Sequence, residues 1–326
     1  MTTDFSPLPW TGRDDGPGPQ HRRWHHAVNS PTTDETGIAL LGFRSDEGVR
    51  RNNGRVGAAE APAAIRTALS SLSADSSLVA ADLGDVTVVD GDMESGQRTL
   101  GTAVAAAIDS GNLTIVLGGG HETAYGSYLG LRASSAMAGK KLGILNLDAH
   151  FDLRSDPVPS SGTPFLQIAV AEAAEGRDLD YRIVGISEPN NTATLFETAA
   201  EFNVRYLRDE ECGIADVESV KAFVADFLGE VDAVYLTIDL DVLPGYLAPG
   251  VSAPAALGVP FEVVLAVCNL VANTPKLVHV DVVELNPRFD IDNRTARAAA
   301  RLIHTIAAAH ANTRRTVPAS PNHPWN

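Results

Sequence analysis

The chain has 326 residues, of which 44% are hydrophobic, and its 41 acidic and 25 basic side chains give a formal net charge of −16. This charge argues against a nucleic-acid-binding protein, which needs a basic patch. No apolar run is long enough to cross a membrane, and the N-terminus lacks the apolar core of a signal peptide. Two cysteines are too few for a disulfide framework. We therefore expect a soluble cytoplasmic protein that binds neither nucleic acid nor membranes.

The two ends of the chain differ in composition from its middle. Residues 1–35 are rich in Pro, Gly, Asp and Thr and show no periodicity, which predicts an irregular leader. Its short basic cluster, at residues 21–26, is interpreted as part of a solvated tail. Residues 313–326 are predicted to be a C-terminal tail. Residues 36–312 are then predicted to form one domain.

Short β-rich apolar runs alternate with Ala-rich helical stretches through this domain. The predicted strands are 37–43, 113–117, 142–147, 180–186, 233–238 and 277–283. The predicted helices are 61–71, 97–110, 123–138, 192–202, 217–228, 261–272 and 294–311. This alternation predicts a three-layer α/β/α fold, with a mostly parallel, doubly wound sheet between two layers of helices. The continuous apolar strands fit burial on both faces.

Polar side chains follow the strand 113–117 directly. The segment Gly118-Gly119-Gly120 leads into His121, and its glycines allow a tight turn that brings the imidazole to the sheet edge. In open α/β sheets, ligands bind at the carboxyl ends of the strands. The segment lacks the Lys-Ser/Thr of a P-loop and the spacing of a dinucleotide-binding motif. We therefore interpret His121 as a candidate ligand.

Acidic side chains follow two further strands. The strand 142–147 ends in Asp-Ala-His-Phe-Asp, and the strand 233–238 ends in Asp-Leu-Asp. In an extended segment alternate residues point the same way, so Asp148, His150 and Asp152 would share one face. Buried carboxylates are costly unless they are paired or bind a metal, and no nearby Lys or Arg supplies enough positive charge. Helix capping by strand-end Asp residues is the alternative, and it explains one such residue better than this whole set.

The sequence thus predicts a divalent metal site, most simply with two ions. Its candidate ligands are His121, Asp148, His150, Asp152, Asp239 and Asp241. Two imidazoles among mainly oxygen donors suit Mn²⁺ better than a zinc site rich in thiolate or His.

These segments, in the same order, resemble the signature segments of the ureohydrolases, the superfamily that includes arginase, agmatinase and formimidoylglutamase. The resemblance runs from about Gly37 to His310. Three stretches are most similar to the formimidoylglutamases: residues 45–55, 151–154 and 243–254. The resemblance implies an arginase-like fold for the catalytic domain and assembly as a homo-oligomer.

The resemblance also implies how two manganese ions would share the ligands. One ion would be held by His121, Asp148, Asp152 and Asp239. The other would be held by Asp148, His150, Asp239 and Asp241. Two dications held roughly 3.5–4 Å apart need shared anionic ligands, and Asp148 and Asp239 would be those bridges. The bound metals would lower the pKa of water to roughly neutral and so supply the nucleophile.

The substrate side rests on Arg154, Ser161 and Glu284. Arginase-like members carry an amide where this chain has Arg154, and a guanidinium suits bidentate binding of a carboxylate. The alternative is a surface Arg in an ordinary salt bridge. By the resemblance, Ser161 is a further substrate contact, Glu284 holds the amidine group and orients it, and metal-bound Asp152 assists proton transfer. The polar loop with Arg50, Arg51 and Arg55 could supply a second carboxylate clamp.

Three further residues, Phe165, His279 and Asp281, bear on the choice of family member and on the roles of polar residues near the site. Arginases carry a proton-shuttling His near the position of Phe165, whereas formimidoylglutamases show a similar Ser-Gly-Thr-Pro-Phe segment. On the strand 277–283, His279 is interpreted as a core histidine and Asp281 as a buried hydrogen-bond acceptor.

The implied function is hydrolysis of the formimino C–N bond of N-formimino-L-glutamate to glutamate and formamide, a reaction of histidine degradation. The expected partner is therefore a small acidic amidine substrate. One alternative is a ureohydrolase that acts on another guanidino acid, such as guanidinobutyrate. The other is a metal-binding relative that has lost catalysis.

Overall fold

The computed structural model describes residues 10–28 and 36–316, with side chains described as far as residue 313. Within these residues all eight strands form one parallel sheet, in the order β2-β1-β3-β8-β7-β4-β5-β6. The strands are β1 Ile38–Arg44, β2 Ala80–Thr87, β3 Leu113–Leu117, β4 Leu142–Leu147, β5 Asp180–Ile186, β6 Arg205–Arg208, β7 Ala233–Asp239 and β8 Leu277–Val283.

Helices cover both faces of the sheet. They are α1 Trp24–Val28, α2 Glu47–Arg51, α3 Ala61–Ser70, α4 Met93–Asp109, α5 Thr123–Ala133, α6 Pro164–Ala174, α7 Ala193–Glu201, α8 Val217–Glu230, α9 Phe261–Ala272 and α10 Arg294–Thr316. One buried apolar cluster includes side chains of α3, α8, α9 and α10, and a second includes side chains of α4, α5, α6 and α7. The predicted three-layer α/β/α fold with a parallel sheet is confirmed.

The six predicted strands are present with bounds that differ by at most one residue, but β2 and β6 were missed. Both lie at the edges of the sheet. β2 carries Asp82, Gly84 and Asp85, and β6 has four residues, of which Arg205 and Arg208 are two. Edge strands are exposed along one side and need not be apolar, so their sequences lack the signal of the central strands.

Three helices differ from the prediction, in their starting residue or in not having been predicted. Helix α4 begins at Met93, four residues before the predicted start, because the side chain of Asp92 accepts a hydrogen bond from Ser95 N and caps it. Helix α6 begins with Pro164 in its first turn and was missed. Helix α2 has only five residues, which is too short for a periodic pattern.

The described part of the predicted leader is only partly irregular: residues 10–18 contain no helix or strand, whereas Pro19–His21 form a 3₁₀ turn and Trp24–Val28 form α1. Trp24 on α1 is fully buried and its Nε1 donates to His304 Nδ1 at 3.1 Å, while Trp10 Nε1 donates to Asp82 Oδ2 at 2.7 Å. His25, which we placed in a solvated tail, is also buried. Tryptophan side chains gain enough from burial to fix a segment that has no periodicity.

The predicted boundaries between leader, domain and tail stay predictions. Helix α10 continues to Thr316, beyond the predicted limit at residue 312. The rest of the predicted leader and tail, at residues 1–9, 29–35 and 317–326, lies outside the described residues. In the part of the chain that is described, no helix is long and apolar enough to cross a bilayer.

The four central strands place the candidate ligands together. β3, β8, β7 and β4 are neighbours in the sheet, and their ends are aligned by register: Leu117 pairs with Val282, Asp239 with Val283, and Leu147 with Ile238. The residues that follow these strands therefore leave the sheet at one edge.

Replacing Trp24 with Ala should lower the free energy of unfolding by about 3–5 kcal/mol, because it leaves a cavity and deprives His304 of its partner. The measurement is urea unfolding of the metal-loaded protein. The control is Val56→Ala, at a 40% exposed side chain, with an expected change within about 0.5 kcal/mol. Equal midpoints for the two variants would show that the N-terminal segment does not stabilise the domain.

Candidate metal centre and substrate pocket

Asp148 and Asp239 occupy equivalent positions at the ends of β4 and β7. One oxygen of each carboxylate accepts a backbone N–H two residues further on: Asp148 Oδ1 from His150 at 2.7 Å, and Asp239 Oδ1 from Asp241 at 2.8 Å. The other oxygen of each approaches His121 Nδ1, at 3.2 Å for Asp148 and 3.1 Å for Asp239. Both segments therefore turn sharply, so the predicted extended geometry of residues 148–152 is wrong although the side chains converge as expected.

His121 lies at the centre of this cluster. Besides the oxygens of Asp148 and Asp239, its Nδ1 has Asp152 Oδ2 at 3.0 Å. The atom is buried, yet none of these contacts has the geometry of a hydrogen bond. Asp152 reaches the cluster with a φ of 50°, a conformation that costs free energy for a residue with a side chain.

Two neighbours fix the orientation of the His121 ring. Its Nε2 lies 3.0 Å from Thr237 Oγ1, so Nδ1 is turned toward the carboxylates. The Phe165 ring meets the imidazole edge-to-face, with 5.2 Å between ring centroids, and also stacks on Tyr181. Phe165 therefore packs against a candidate ligand, at the position where the resemblance implied that a proton-shuttling His is missing.

A second candidate group shares Asp148. His150 Nδ1 lies 3.1 Å from Asp241 Oδ2 and 3.6 Å from Asp148 Oδ1. Ligand atoms of these three residues lie within 4.8 Å of one another, and so do those of His121, Asp148 and Asp239. The structure thus brings all six predicted ligands together at the sheet edge.

The buried carboxylates of the cluster favour a positive charge among them. Burial opposes the charged form of His121, but the close approach of the Asp148, Asp152 and Asp239 carboxylates outweighs it and raises the pKa of His121 well above its ordinary value. Burial and the carboxylates of Asp241 and Asp148 compete in the same way at His150, whose pKa is also raised well above its usual range. The carboxylates therefore favour a positive charge at both imidazoles.

The donor set fits divalent metal ions. Three carboxylate oxygens surround His121 Nδ1, no hydrogen bond is made by this atom, and once deprotonated it can bind a metal through its lone pair. A cation placed among these atoms would satisfy all of them at once, and carboxylate-rich sets favour hard ions such as Mn²⁺.

A cavity of about 260 Å³ opens beside the candidate ligands. It is lined by His121, His150, Asp152, Asp239 and Asp241, and also by Asn52, Gly54, Arg154, Ser161, Asn190, Asn191, Leu195, Ser252, Ala253 and Glu284. All three predicted substrate contacts therefore line the same cavity as the candidate metal ligands.

Glu284 follows β8 with a φ of 67°, and its Oε1 accepts a hydrogen bond from His121 N at 2.8 Å. Burial and the charge of Glu122 raise the pKa of Glu284 to about 8. Among the described residues, no basic side chain is bonded to the Glu284 carboxyl group. A cationic group that entered the cavity would therefore favour the ionised form of Glu284.

Arg154 and Ser161 lie on the loop that follows the metal ligands. Arg154 is half-exposed, and its Nε donates to Asp156 at 3.1 Å, an exposed pair of the kind that contributes little. This pair does not engage the two terminal nitrogens of the guanidinium. Ser161 is buried, and its Oγ accepts a hydrogen bond from Asn52.

The proposed second clamp is not at the cavity. The guanidinium of Arg50 bonds Glu47, and that of Arg51 bonds Glu47, Glu94 and two backbone carbonyls. Arg55 donates to carbonyl oxygens of the loop 251–252 and lies over an aromatic ring. These arginines hold loops together, and Asn52 is the side chain from their segment that reaches the cavity.

Two structural interpretations on β8 are confirmed. His279 is fully buried, contacts Thr114 Oγ1, and has a pKa lowered to about 3 by burial. Asp281 is buried and accepts hydrogen bonds from Ser127 and Tyr235.

Sequence reasoning missed the neutral lining residues Asn52, Asn190, Asn191 and Ser252. Two of them lie in the segments that carried the resemblance, at residues 45–55 and 243–254. That signal located the segments but did not distinguish which side chains face the cavity.

Comparison with known proteins agrees with this geometry. The model of the Arginase family matches residues 36–309. A formimidoylglutamase of Rhodococcus opacus is 59% identical over 304 residues, which cover 92% of this chain and 95% of that protein. A formimidoylglutamase of Chromobacterium violaceum is 48% identical over 300 residues, which cover 91% and 96%.

Solved structures show the same similarity. A variant of Trypanosoma cruzi formiminoglutamase with Mn²⁺ superposes with a TM-score of 0.78 at 27% identity, and the match covers 89% of this chain and 98% of that one. The chain therefore belongs to the arginase family.

Replacing Asp148, which belongs to both candidate groups, should reduce the bound manganese more than replacing His150, which belongs to one. After Mn²⁺ loading, Asp148→Ala should retain less than about one ion per chain, whereas His150→Ala should retain about one, because Asp148 belongs to both candidate groups. Elemental analysis after gel filtration measures this, with the exposed Asp178→Ala as control. Equal metal content in the two site variants would contradict a shared Asp148.

Mn²⁺ binding should release protons and should tighten as pH rises. Both imidazoles have raised pKa values, which favours their protonated forms, and a metal that binds a protonated imidazole must displace the proton. Calorimetry in two buffers of different ionisation enthalpy counts these protons. An affinity that does not change between about pH 6.5 and 8.5 would contradict protonated imidazoles in the metal-free protein.

Proposed function

We propose that this protein is a binuclear manganese hydrolase that converts N-formimino-L-glutamate and water to L-glutamate and formamide. The observation that carries the proposal is the joint presence of Glu284 and Arg154 in one cavity beside the candidate metal ligands. An anionic and a cationic side chain suit a substrate with an amidine and carboxylates. The names of the relatives at up to 59% identity support the same substrate.

The proposed ligands are the six residues predicted from the sequence, divided between two ions that share Asp148 and Asp239. Bound metal would supply a nucleophile at neutral pH, since it lowers the pKa of water. Everything else in the reaction falls to side chains of this chain.

Glu284 binds the formimino group. One of its oxygens is fixed by His121 N, so the carboxylate has a single orientation from which its other oxygen can accept an N–H of the amidine. Arg154 binds a carboxylate of the substrate through its terminal nitrogens. Together these contacts place the formimino carbon next to the metal centre, and agmatine-like dications are disfavoured by Arg154.

The reaction forms a C–O bond at the formimino carbon and breaks the bond from that carbon to the nitrogen of glutamate. The departing nitrogen needs a proton. We assign its delivery to Asp152. As a metal ligand its carboxylate would be ionised, so it would accept the proton released by the attacking water and pass it to that nitrogen. Formamide keeps the other nitrogen.

We further propose a cytoplasmic homo-oligomer that acts in histidine degradation, as the family resemblance implies. Within the chain, residues 36–312 would form the catalytic domain between a leader and a tail.

The test is turnover of a substrate panel by the Mn²⁺-loaded protein. Formimino-glutamate should be hydrolysed with a higher kcat/KM than arginine, agmatine or guanidinobutyrate, and formamide should appear as the product. Preferred turnover of guanidinobutyrate would instead establish the guanidino-acid alternative. Absence of turnover on all four, with two ions bound, would indicate a relative that has lost catalysis.

Arg154→Asn should raise KM for formimino-glutamate by about tenfold or more while manganese content stays unchanged, because the variant loses a charged hydrogen bond to substrate but no metal ligand. Steady-state kinetics measures this, and Arg50→Asn is the matched control because Arg50 is exposed and bonds Glu47. An unchanged KM would remove Arg154 from the substrate site.

A further inference from the structure

The proposed substrate carries two carboxylates, and the inference drawn here rests on that proposed function. Apart from the candidate metal-binding histidines, Arg154 is the basic side chain among the described residues that line the cavity. The arginines of the neighbouring loop bond glutamates and backbone carbonyls instead. One substrate carboxylate therefore needs neutral hydrogen-bond donors.

Asn52 and Ser161 provide such donors as a coupled pair. Asn52 Nδ2 donates to Ser161 Oγ at 3.2 Å. The Ser161 hydroxyl then has its own hydrogen to donate, and the Asn52 amide has a second N–H. Both residues line the cavity, so a carboxylate there can accept two hydrogen bonds from this pair.

Other neutral residues around the cavity are less suitable. Asn191 uses its amide to bond three backbone groups of adjacent loops. Ser252 Oγ accepts the backbone N–H of Arg55 at 2.9 Å, so its hydroxyl can donate one hydrogen bond but is not paired with a second side-chain donor as Ser161 is with Asn52. Asn190 is exposed to solvent, where a hydrogen bond to a carboxylate gains little over one to water.

The pair stands next to Arg154, with the backbone of Gly162 between them. A Cβ at Gly162 would lie 3.2 Å from Asn52 Nδ2 and 2.5 Å from Arg154 Cδ. The absence of a side chain at Gly162 thus lets the neutral pair and the cation approach one another. Arg154 N also donates to Gly162 O at 2.9 Å, which fixes the loop.

Asn52 is held firmly for a loop residue. Its N–H donates to Gly48 O at 2.9 Å at the end of α2. The start of α2 is fixed in turn, since Glu122 Oε1 accepts hydrogen bonds from Gly48 N and from Ser45 Oγ. A donor that is already ordered loses little entropy when it binds a ligand.

We propose that Asn52, together with Ser161, binds one carboxylate of the substrate while Arg154 binds the other, and that Asn52 thereby sets the preference for a dicarboxylic substrate. The role needs no titration and no contact with the metals. It also explains why the arginines of the loop 50–55 bond glutamates and carbonyl oxygens outside the cavity. A second cationic side chain in the cavity would repel the positively charged amidine of the substrate.

The experiment compares Asn52→Ala and Asn52→Asp with the wild-type protein, all loaded with Mn²⁺. Asn52→Ala should raise KM for formimino-glutamate about tenfold while kcat changes little, since a contact equal in ground and transition states is lost. Asn52→Asp keeps the shape of the side chain but repels a carboxylate, so its KM should rise further. The affinity for L-glutamate, measured by calorimetry, should fall by the same factors.

Two controls separate binding from folding. Asn53→Gly removes a neighbouring exposed amide at a φ of 59°, which glycine accepts, and it should leave KM and glutamate affinity unchanged. Manganese content should be equal in all four proteins.

The outcomes distinguish this inference from the proposed function. Wild-type turnover of formimino-glutamate with unchanged KM and glutamate affinity in Asn52→Ala would overturn the role of Asn52 alone. Glutamate binding that depends on Asn52, in a protein that does not hydrolyse formimino-glutamate, would uphold the carboxylate site and overturn the reaction. Glutamate binding that is absent or independent of Asn52 in an inactive protein would overturn both.

Discussion

The arrangement depends on one electrostatic constraint: several carboxylates are buried around His121 Nδ1 at the end of a parallel sheet. Asp148 and Asp239 each use one oxygen to fix the turn behind them and direct the other to the centre. Such a cluster is unfavourable without a cation. The cluster lies where four central strands end in register, so the surrounding core holds the candidate ligands in place. A bound ion would stabilise the folded state.

The distribution of charge around the cavity follows from the same constraint. Metal ions and an amidine are all positive, so basic side chains near them would compete with both. The arginines of the loop 50–55 are accordingly bonded to Glu47, Glu94 and carbonyl oxygens, where they join α2 to other elements. Arg154 is the exception, and it stands beside neutral donors on the solvent side of the ligands. A cavity with few free charges can then discriminate by the number of carboxylates on its ligand.

The sequence predicts the elements and candidate ligands that a local pattern determines. It does not predict the elements and side-chain positions that tertiary contacts determine. The six central strands and the six candidate ligands were found because apolar runs end abruptly in polar residues. The edge strand β2 was missed because Asp82 and Asp85 bond Arg66 within a polar edge. Trp24 was assigned to a tail because a buried tryptophan needs no periodicity around it. Asn52 was passed over in favour of charged neighbours, since only the folded loop shows that those neighbours already have partners.

Phe165 narrows the choice of proton donor. Its ring contacts both His121 and Tyr181, so this position supports a candidate ligand and has no proton to give. Glu284 has one oxygen bonded to His121 N and is assigned to the amidine. Of the four carboxylates among the candidate ligands, Asp152 has the most exposed side chain, at 14%, and it lines the cavity. Its carboxylate would be ionised when it binds a metal, so it would accept the proton released by the attacking water and pass it to the nitrogen that leaves.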